Sequence, residues 1–401
     1  MDRSLALTSF ESQASQRPGV GSVNSWDCRV VVFAAACILV GILWDISWHS
    51  TIGRDTFWTP AHMVIYLGGT LGGLVGGWLA LKTTFFGTQE ERGAAVRLWG
   101  MRAPLGAWVS IWGALAMLTS APFDNWWHNA YGLDVKILSP PHSVLAAGMY
   151  HVVVGGWLLV LRLQNRSEGQ AQPRGSFLFV AAGGILLGMA SVMVTELSFP
   201  NYQHTAGYYQ VSCGLYPTLM VGLARASKWR WPATTMAAIY MGTMLAMIWL
   251  LPLFPATPKL APIYNPVTHM VPPPFPHWLI VPAVAIDLLF HWVGRGRGWR
   301  RDALLALGIA TAFTGLFLAV QWNFSRFLLS SASNNWFFAG QRFFSFASTR
   351  SPWWNKYWAV SPTDWDYDPL TFKGVVIAWL LALVATGFGL FWGNWMARVK
   401  R

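Results

Sequence analysis

The sequence predicts an all-α fold, a polytopic integral membrane bundle of about ten transmembrane helices, and three observations predict it. Of 401 residues, 54% are hydrophobic and only 11% charged, with 26 Trp and 24 Phe. Apolar runs near 28–48, 60–82, 103–121, 142–161, 176–197, 206–224, 233–253, 277–293, 303–322 and 371–396 each approach the roughly 20 residues a spanning helix needs. Basic residues gather in alternate loops, as cytoplasmic loops do.

The alternation fixes an expected orientation. One side takes Arg92, Arg97 and Arg102, then Arg162, Arg166 and Arg174, then Arg225, Lys228 and Arg230, then Arg295, Arg297, Arg300 and Arg301; the opposite short loops carry only Arg54, Lys136 and Lys259. Both termini are therefore expected in the cytoplasm, in a bacterial inner membrane. The net charge of +12 follows from this topology, so the expected surroundings are a lipid bilayer and not nucleic acid.

Taken in order, residues 1–27 are polar and lack the layout of a cleavable signal peptide, which predicts a disordered cytoplasmic tail. Residues 28–165 hold four spans in two hairpins. Residues 166–322 add further spans. The run at 277–293 is the shortest, and the Pro-rich Val271–Pro276 before it is suited to a rigid outer or re-entrant loop, which leaves nine or eleven spans as alternatives to ten. Residues 323–370 are too aromatic for a linker and predict a folded outer cap, and 371–401 a last span with a basic tail. Cys28, Cys37 and Cys213 have no C-x-x-C spacing and predict neither a disulfide nor a thiolate metal site.

The chemistry lies in a repeat. Asp45 and His49 are followed by His62, and Asp124 and His128 by His142, giving D-x3-H-x12-H and then D-x3-H-x13-H. Residues four apart share a helix face, so each Asp and first His can offer an oxygen and a nitrogen to one point, and the second His closes a three-ligand metal site. A Trp precedes each first His (Trp48, Trp127), and a Pro stands ahead of each second (Pro60, Pro141). Helix capping or an aromatic belt would account for any single one of these residues. The repeated pattern is different, because Asp45 and Asp124 sit within apolar runs where an ionised carboxylate is costly unless paired or metal-bound. Two imidazoles and a carboxylate suit copper, zinc or iron, and three protein ligands leave a coordination position open.

The first hairpin, Asp45 and His49 with Arg54-Asp55-Thr56-Phe57-Trp58-Thr59-Pro60-Ala61-His62, resembles the C subunit of the copper membrane monooxygenases, the particulate methane and ammonia monooxygenase family. There an Asp-x3-His-x12-His motif, with Arg-Asp and Pro-x-His in the loop, binds copper. The second hairpin is similar to that family's second copper site, an Asn-x3-His-x13-His pattern, but carries Asp124 where Asn is usual. The likeness covers about residues 28–160. It implies copper as cofactor, oxygenase activity on a small apolar substrate entering from the lipid, and other membrane subunits as partners; a homo-oligomer is the alternative assembly. A membrane protein that binds and delivers copper without catalysis is the alternative function.

Further candidates are weaker. Asp55 and Asp134 are placed to support the ligating imidazoles or to pair with Arg54 and Lys136. Glu196, His204, His269 and His277 lie on the same predicted side, and an ordered interfacial loop is the better account of the three His. Asp287 and His291 repeat D-x3-H at the opposite end of a span, which removes them from the sites while leaving Asp287 a buried acid. His151 is expected to be a hydrogen-bonded helix residue.

Overall fold

The computed structural model describes residues 23–53, 58–132, 139–167, 175–259, 267–296, 298–339 and 368–399. Its ten principal helices are α1 (Ser25–Thr51), α2 (Pro60–Phe86), α3 (Leu105–Tyr131), α4 (Pro140–Arg166), α5 (Ser176–Met193), α6 (Ala206–Ala226), α7 (Pro232–Leu250), α8 (Ile280–Val293), α9 (Trp299–Leu328) and α10 (Phe372–Met396). The first begins inside the expected tail, because the Asn24 side chain caps the backbone N–H groups of Trp26 and Asp27 while Asp27 reaches back to the Asn24 N–H.

Eight of these helices are long and apolar enough to cross a membrane, which makes the chain an integral membrane protein. The other two, α6 and α8, fall short of that measure for different reasons. Helix α6 carries three Tyr together with Gln210, Ser212, Thr218 and Arg225, but it runs through the interior, with Tyr208, Tyr209, Cys213 and Tyr216 all buried, so little of it needs to be soluble in lipid. Helix α8 has only 14 residues. Its path is completed by the extended segment 271–279, which starts beside the end of α1 and reaches the middle of α6 and α7. Val271 is held at one end, where its N–H donates to Thr51 Oγ1 at 2.8 Å and its carbonyl accepts from Ser47 Oγ. At the other end the His277 N–H donates to the Tyr240 hydroxyl, and the Trp278 N–H to Gln321 Oε1. The segment is extended, as the prolines suggested, but it runs on into α8 rather than returning to the end at which it started, so it is not re-entrant.

Helices α1 to α4 form two hairpins of one design. All four are 27 residues long, and the second pair starts 80 positions after the first, at 105 and 140 against 25 and 60. Glycines let them approach closely, as small residues do between membrane helices. A Cβ on Gly68 of α2 would fall 2.6 Å from the Ala34 carbonyl of α1, and one on Gly148 of α4 would meet the Gly113 carbonyl of α3 at 2.8 Å. Between the hairpins lies a two-stranded turn that the sequence did not announce: β1 (Val96–Leu98) pairs with β2 (Met101–Ala103), and Trp99 and Gly100 both take positive φ, the geometry of a tight hairpin.

The end of the bundle away from Asp45 and Asp124 is tied by polar side chains. Arg225 of α6 meets Asp302 of α9 at 2.8 Å and Asn394 of α10 at 2.9 Å, and Asn165 of α4 donates to the Met396 carbonyl. Asp287 of α8 belongs to this set. Its buried carboxylate accepts from the N–H groups of Ala233 and Thr234 at 3.2 and 2.8 Å, capping α7, whose own N-cap residue offers no side-chain bond. Cys28, Cys37 and Cys213 are buried in separate parts of the bundle as free thiols.

Candidate metal centre

Each triad forms where a hairpin turns. In the first, Asp45 and His49 occupy the last two turns of α1 and His62 the first turn of α2, so two helix ends converge on one point. Asp45 Oδ1 lies 3.1 Å from His62 Nε2 and 3.6 Å from His49 Nε2. Among the described residues only Asp45, His49 and His62 bring three such donor atoms within 4.8 Å of one another. In the second triad Asp124 Oδ1 lies 3.1 Å from His128 Nε2 and 3.7 Å from His142 Nε2. The paired imidazole rings are 6.5 Å apart in both. The triads are neighbours, since Tyr66, one turn past His62, interacts electrostatically with both Asp45 and Asp124.

The extra residue of the second motif does not lengthen the turn. Eight residues separate the helices in each hairpin, and it is α3 that continues one residue further past its first His. Two supporting positions recur that the sequence reading passed over. A glycine at positive φ stands four residues after each first His, Gly53 with φ 89° and Gly132 with φ 83°, and it turns the chain out of the helix. A hydroxyl residue stands three before each second His, Thr59 and Ser139, followed by Pro60 and Pro140 at the first helical position. The pattern D-x3-H-x3-G, then [ST]-P-x-H, would have revealed both. It also aligns Pro140, rather than Pro141, with Pro60.

Hydrogen bonds orient the rings of the second triad. His128 Nδ1 is 2.9 Å from the Gly132 carbonyl, which can only accept, so Nδ1 carries a proton. Nε2 is then the atom turned to Asp124 Oδ1, 3.1 Å away. Either a metal ion between the two atoms or a proton on Nε2 meets that contact. Asp45 Oδ1 and Asp124 Oδ1 are both buried and find no hydrogen-bond partner among the described residues. Donor atoms converging on a common point without bonding one another fit a metal at about 2 Å from each. Ser139 Oγ lies 3.0 Å from His142 Nδ1 and orients that ring with Nε2 inward.

The remaining candidates are dispersed. Arg54, Asp55 and Asp134 lie outside the described residues. Glu196 is exposed after α5. His204 bonds Ser325 Oγ at 3.1 Å and packs edge-on against Trp322, and burial lowers its pKa. His269 is exposed beside Thr268. His277 is 1% exposed and bonded to Tyr216, well inside the bundle. None of the four joins a triad. His151 is bonded to the Ala147 carbonyl but exposed on the bundle surface, and His291 packs at a tilt against Trp231, ring centroids 4.9 Å apart, near the capped start of α7. The expected cap is seen only as far as residue 339, where Phe275, Phe324, Phe327 and Phe338 cluster and Trp249 donates to the Phe337 carbonyl. The rest, 340–367, lies outside the described residues.

Comparison of the chain with family models, with curated proteins and with solved structures gave no match.

Proposed function

We propose that this protein binds copper at the first triad and, separately, at the second, and that it serves as an oxygenase or oxygenase subunit for a small apolar substrate drawn from the lipid. It is a helical membrane protein with two Asp-His-His clusters at the turns of repeated hairpins. The observation that carries the reading is the first triad, three donor atoms within 4.8 Å of one another, one of them a buried carboxylate oxygen without a hydrogen bond.

The copper assignment rests on imidazole-rich ligation and on the motif likeness described above. Bound there, the metal would supply oxygen chemistry with a coordination position left open. The residues themselves hold it: Asp45 contributes the negative charge, His49 and His62 the nitrogens, and Gly132 and Ser139 fix the rings of the second site. Orientation with the triads on the outer face follows from the basic loops. The alternative of copper binding and delivery without catalysis is favoured by one feature, the 46% exposure of His49 and 40% of His142, which leaves a ligand of each site open to exchange.

Elemental analysis of the purified protein in lipid, before and after reconstitution with Cu(I), tests the metal assignment. Copper near two equivalents per chain is expected. A folded protein that takes up zinc or iron but no copper would overturn it. Conversion of a small alkane or alkene by the loaded protein, supplied with reductant and oxygen, separates the oxygenase from the delivery protein.

A further inference from the structure

The β1–β2 hairpin lies at the end of the bundle opposite the triads, between the end of α2 and the start of α3. Its inner face is apolar, with Val96, Leu98, Met101 and Ala103 against the core, and Trp108 Nε1 holds the Val96 carbonyl at 3.0 Å. Thr84 Oγ1 accepts the Arg102 N–H and donates to the Arg102 carbonyl. With those backbone groups bonded to Thr84, Arg102 and its cross-strand partner Arg97 form a non-hydrogen-bonded pair, the closer of the two kinds in an antiparallel ladder. Their Cβ atoms are then about 4.5–5.5 Å apart, with both side chains on the outward face.

Like charges directly opposite each other destabilise a sheet. Nothing among the described residues neutralises this pair. Arg102 Nη1 donates to the Arg92 carbonyl at 2.6 Å and Arg92 Nη2 to the Phe85 carbonyl, and no described carboxylate pairs with Arg92, Arg97 or Arg102. Glu91 is turned back to the Thr88 N–H, and Glu90 is exposed. A second strained feature stands at the tip. Trp99 has φ 46°, a left-handed conformation that is rare for a bulky residue, in a turn that Asn or Gly enters easily. Its ring is 76% exposed and lies 5.4 Å from the ring of Trp112, also exposed and seven residues into α3, roughly 10 Å along that helix. The tip therefore rests on the outer side of a spanning helix, where Trp rings mark the boundary between lipid headgroups and acyl chains.

We propose that this hairpin binds an anionic phospholipid, its phosphate held between Arg97 and Arg102 and its acyl chains lying against Trp99 and Trp112. A phosphate supplies the negative charge that the arginine pair lacks, and its oxygens match the guanidinium fork. A headgroup without an ammonium of its own leaves that charge uncancelled. The two exposed rings point to a lipid rather than free phosphate as the source. The site is remote from the metal centres and stands whether or not they hold copper.

The test is native mass spectrometry of the full-length protein released from nanodiscs holding equal amounts of phosphatidylglycerol and phosphatidylcholine with the same acyl chains. Preferential retention of phosphatidylglycerol is expected. Arg97→Gln combined with Arg102→Gln should reduce that preference by at least about tenfold. Arg300→Gln combined with Arg398→Gln removes two charges from the same end of the bundle and should preserve it. Trp99→Asn gives the turn its favoured residue, so its thermal transition should hold or rise while lipid retention falls. The Arg97 and Arg102 variant, relieved of a like-charge pair, should likewise unfold no lower than the parent. Retention that ignores the headgroup, that survives the loss of Arg97 and Arg102, that falls equally in the Arg300 and Arg398 variant, or that inorganic phosphate displaces as readily as added phosphatidylglycerol does, would overturn the proposal.

Discussion

The two hairpins share helix lengths, turn lengths and ligand types, yet their triads are set in different surroundings. The end of α1 is braced from outside. Lys259 N–H donates to the Ile52 carbonyl, Val271 bonds Ser47 and Thr51, and five of residues 41–52 are buried. Among the described residues none braces the end of α3 in this way, and no residue from 121 to 132 is buried. Side-chain exposure of the carboxylate follows, 16% for Asp45 against 32% for Asp124. What the second site lacks in bracing it recovers locally, with Gly132 and Ser139 holding its two rings through Nδ1. Thr59, at the position of Ser139, instead accepts the His62 backbone N–H and caps α2. One ligand pattern is thus held by tertiary packing in one hairpin and by ring hydrogen bonds in the other.

The largest effect should come from deleting a ligand. His62→Ala and His128→Ala are each expected to remove about one equivalent of metal and leave the other, by elemental analysis; loss of both from either variant would mean one shared site and end the comparison. Asp124→Asn comes next. It removes the anionic ligand of the more exposed triad, so metal affinity at that site should fall by at least about tenfold while the first site and the fold are kept. Equal metal content across a chelator titration would show that Asp124 is not a ligand.

The finest contrast is between the two hydroxyls. Ser139→Ala should weaken the second site by about 10–100-fold, the usual cost of losing the partner of a ligating imidazole. Thr59→Ala should instead cost about 1 kcal/mol of stability, as for a lost helix cap, with little change in metal affinity. Thermal unfolding of the metal-free variants and chelator competition of the loaded ones separate these effects. If both substitutions act alike, the hairpins are held in the same way.

Much of this was legible in the sequence because it is local. Apolar runs gave the helices, and i,i+4 spacing placed Asp45 with His49 and Asp124 with His128 on shared faces. What failed to show was set by distant partners. Helix α6 needs little hydropathy because its neighbours shield it, and nothing near Tyr208 says so. Asp287 looks like a functional acid until the start of α7, more than fifty residues earlier, is found beneath it. His277 appeared to belong to an outer loop, and only Tyr216 and Tyr240 draw it inside. The supporting Gly53, Gly132, Thr59 and Ser139 were readable in principle, as a second layer of the same repeat.

The extended segment 271–279 has a consequence for how the chain is assembled. Four of its residues, Pro272, Pro273, Pro274 and Pro276, bring no N–H into the bundle interior, which spares the donors an extended chain would otherwise leave unmet. The donors it does carry at its ends find Thr51, Tyr240 and Gln321. Gln321 belongs to α9, which a ribosome makes only after the segment has emerged. Its anchors Ser47, Thr51 and Tyr240 precede it in the chain, so the wall beside the first triad has its partners as soon as the segment is made, and only the Trp278 end is left to be completed by α9.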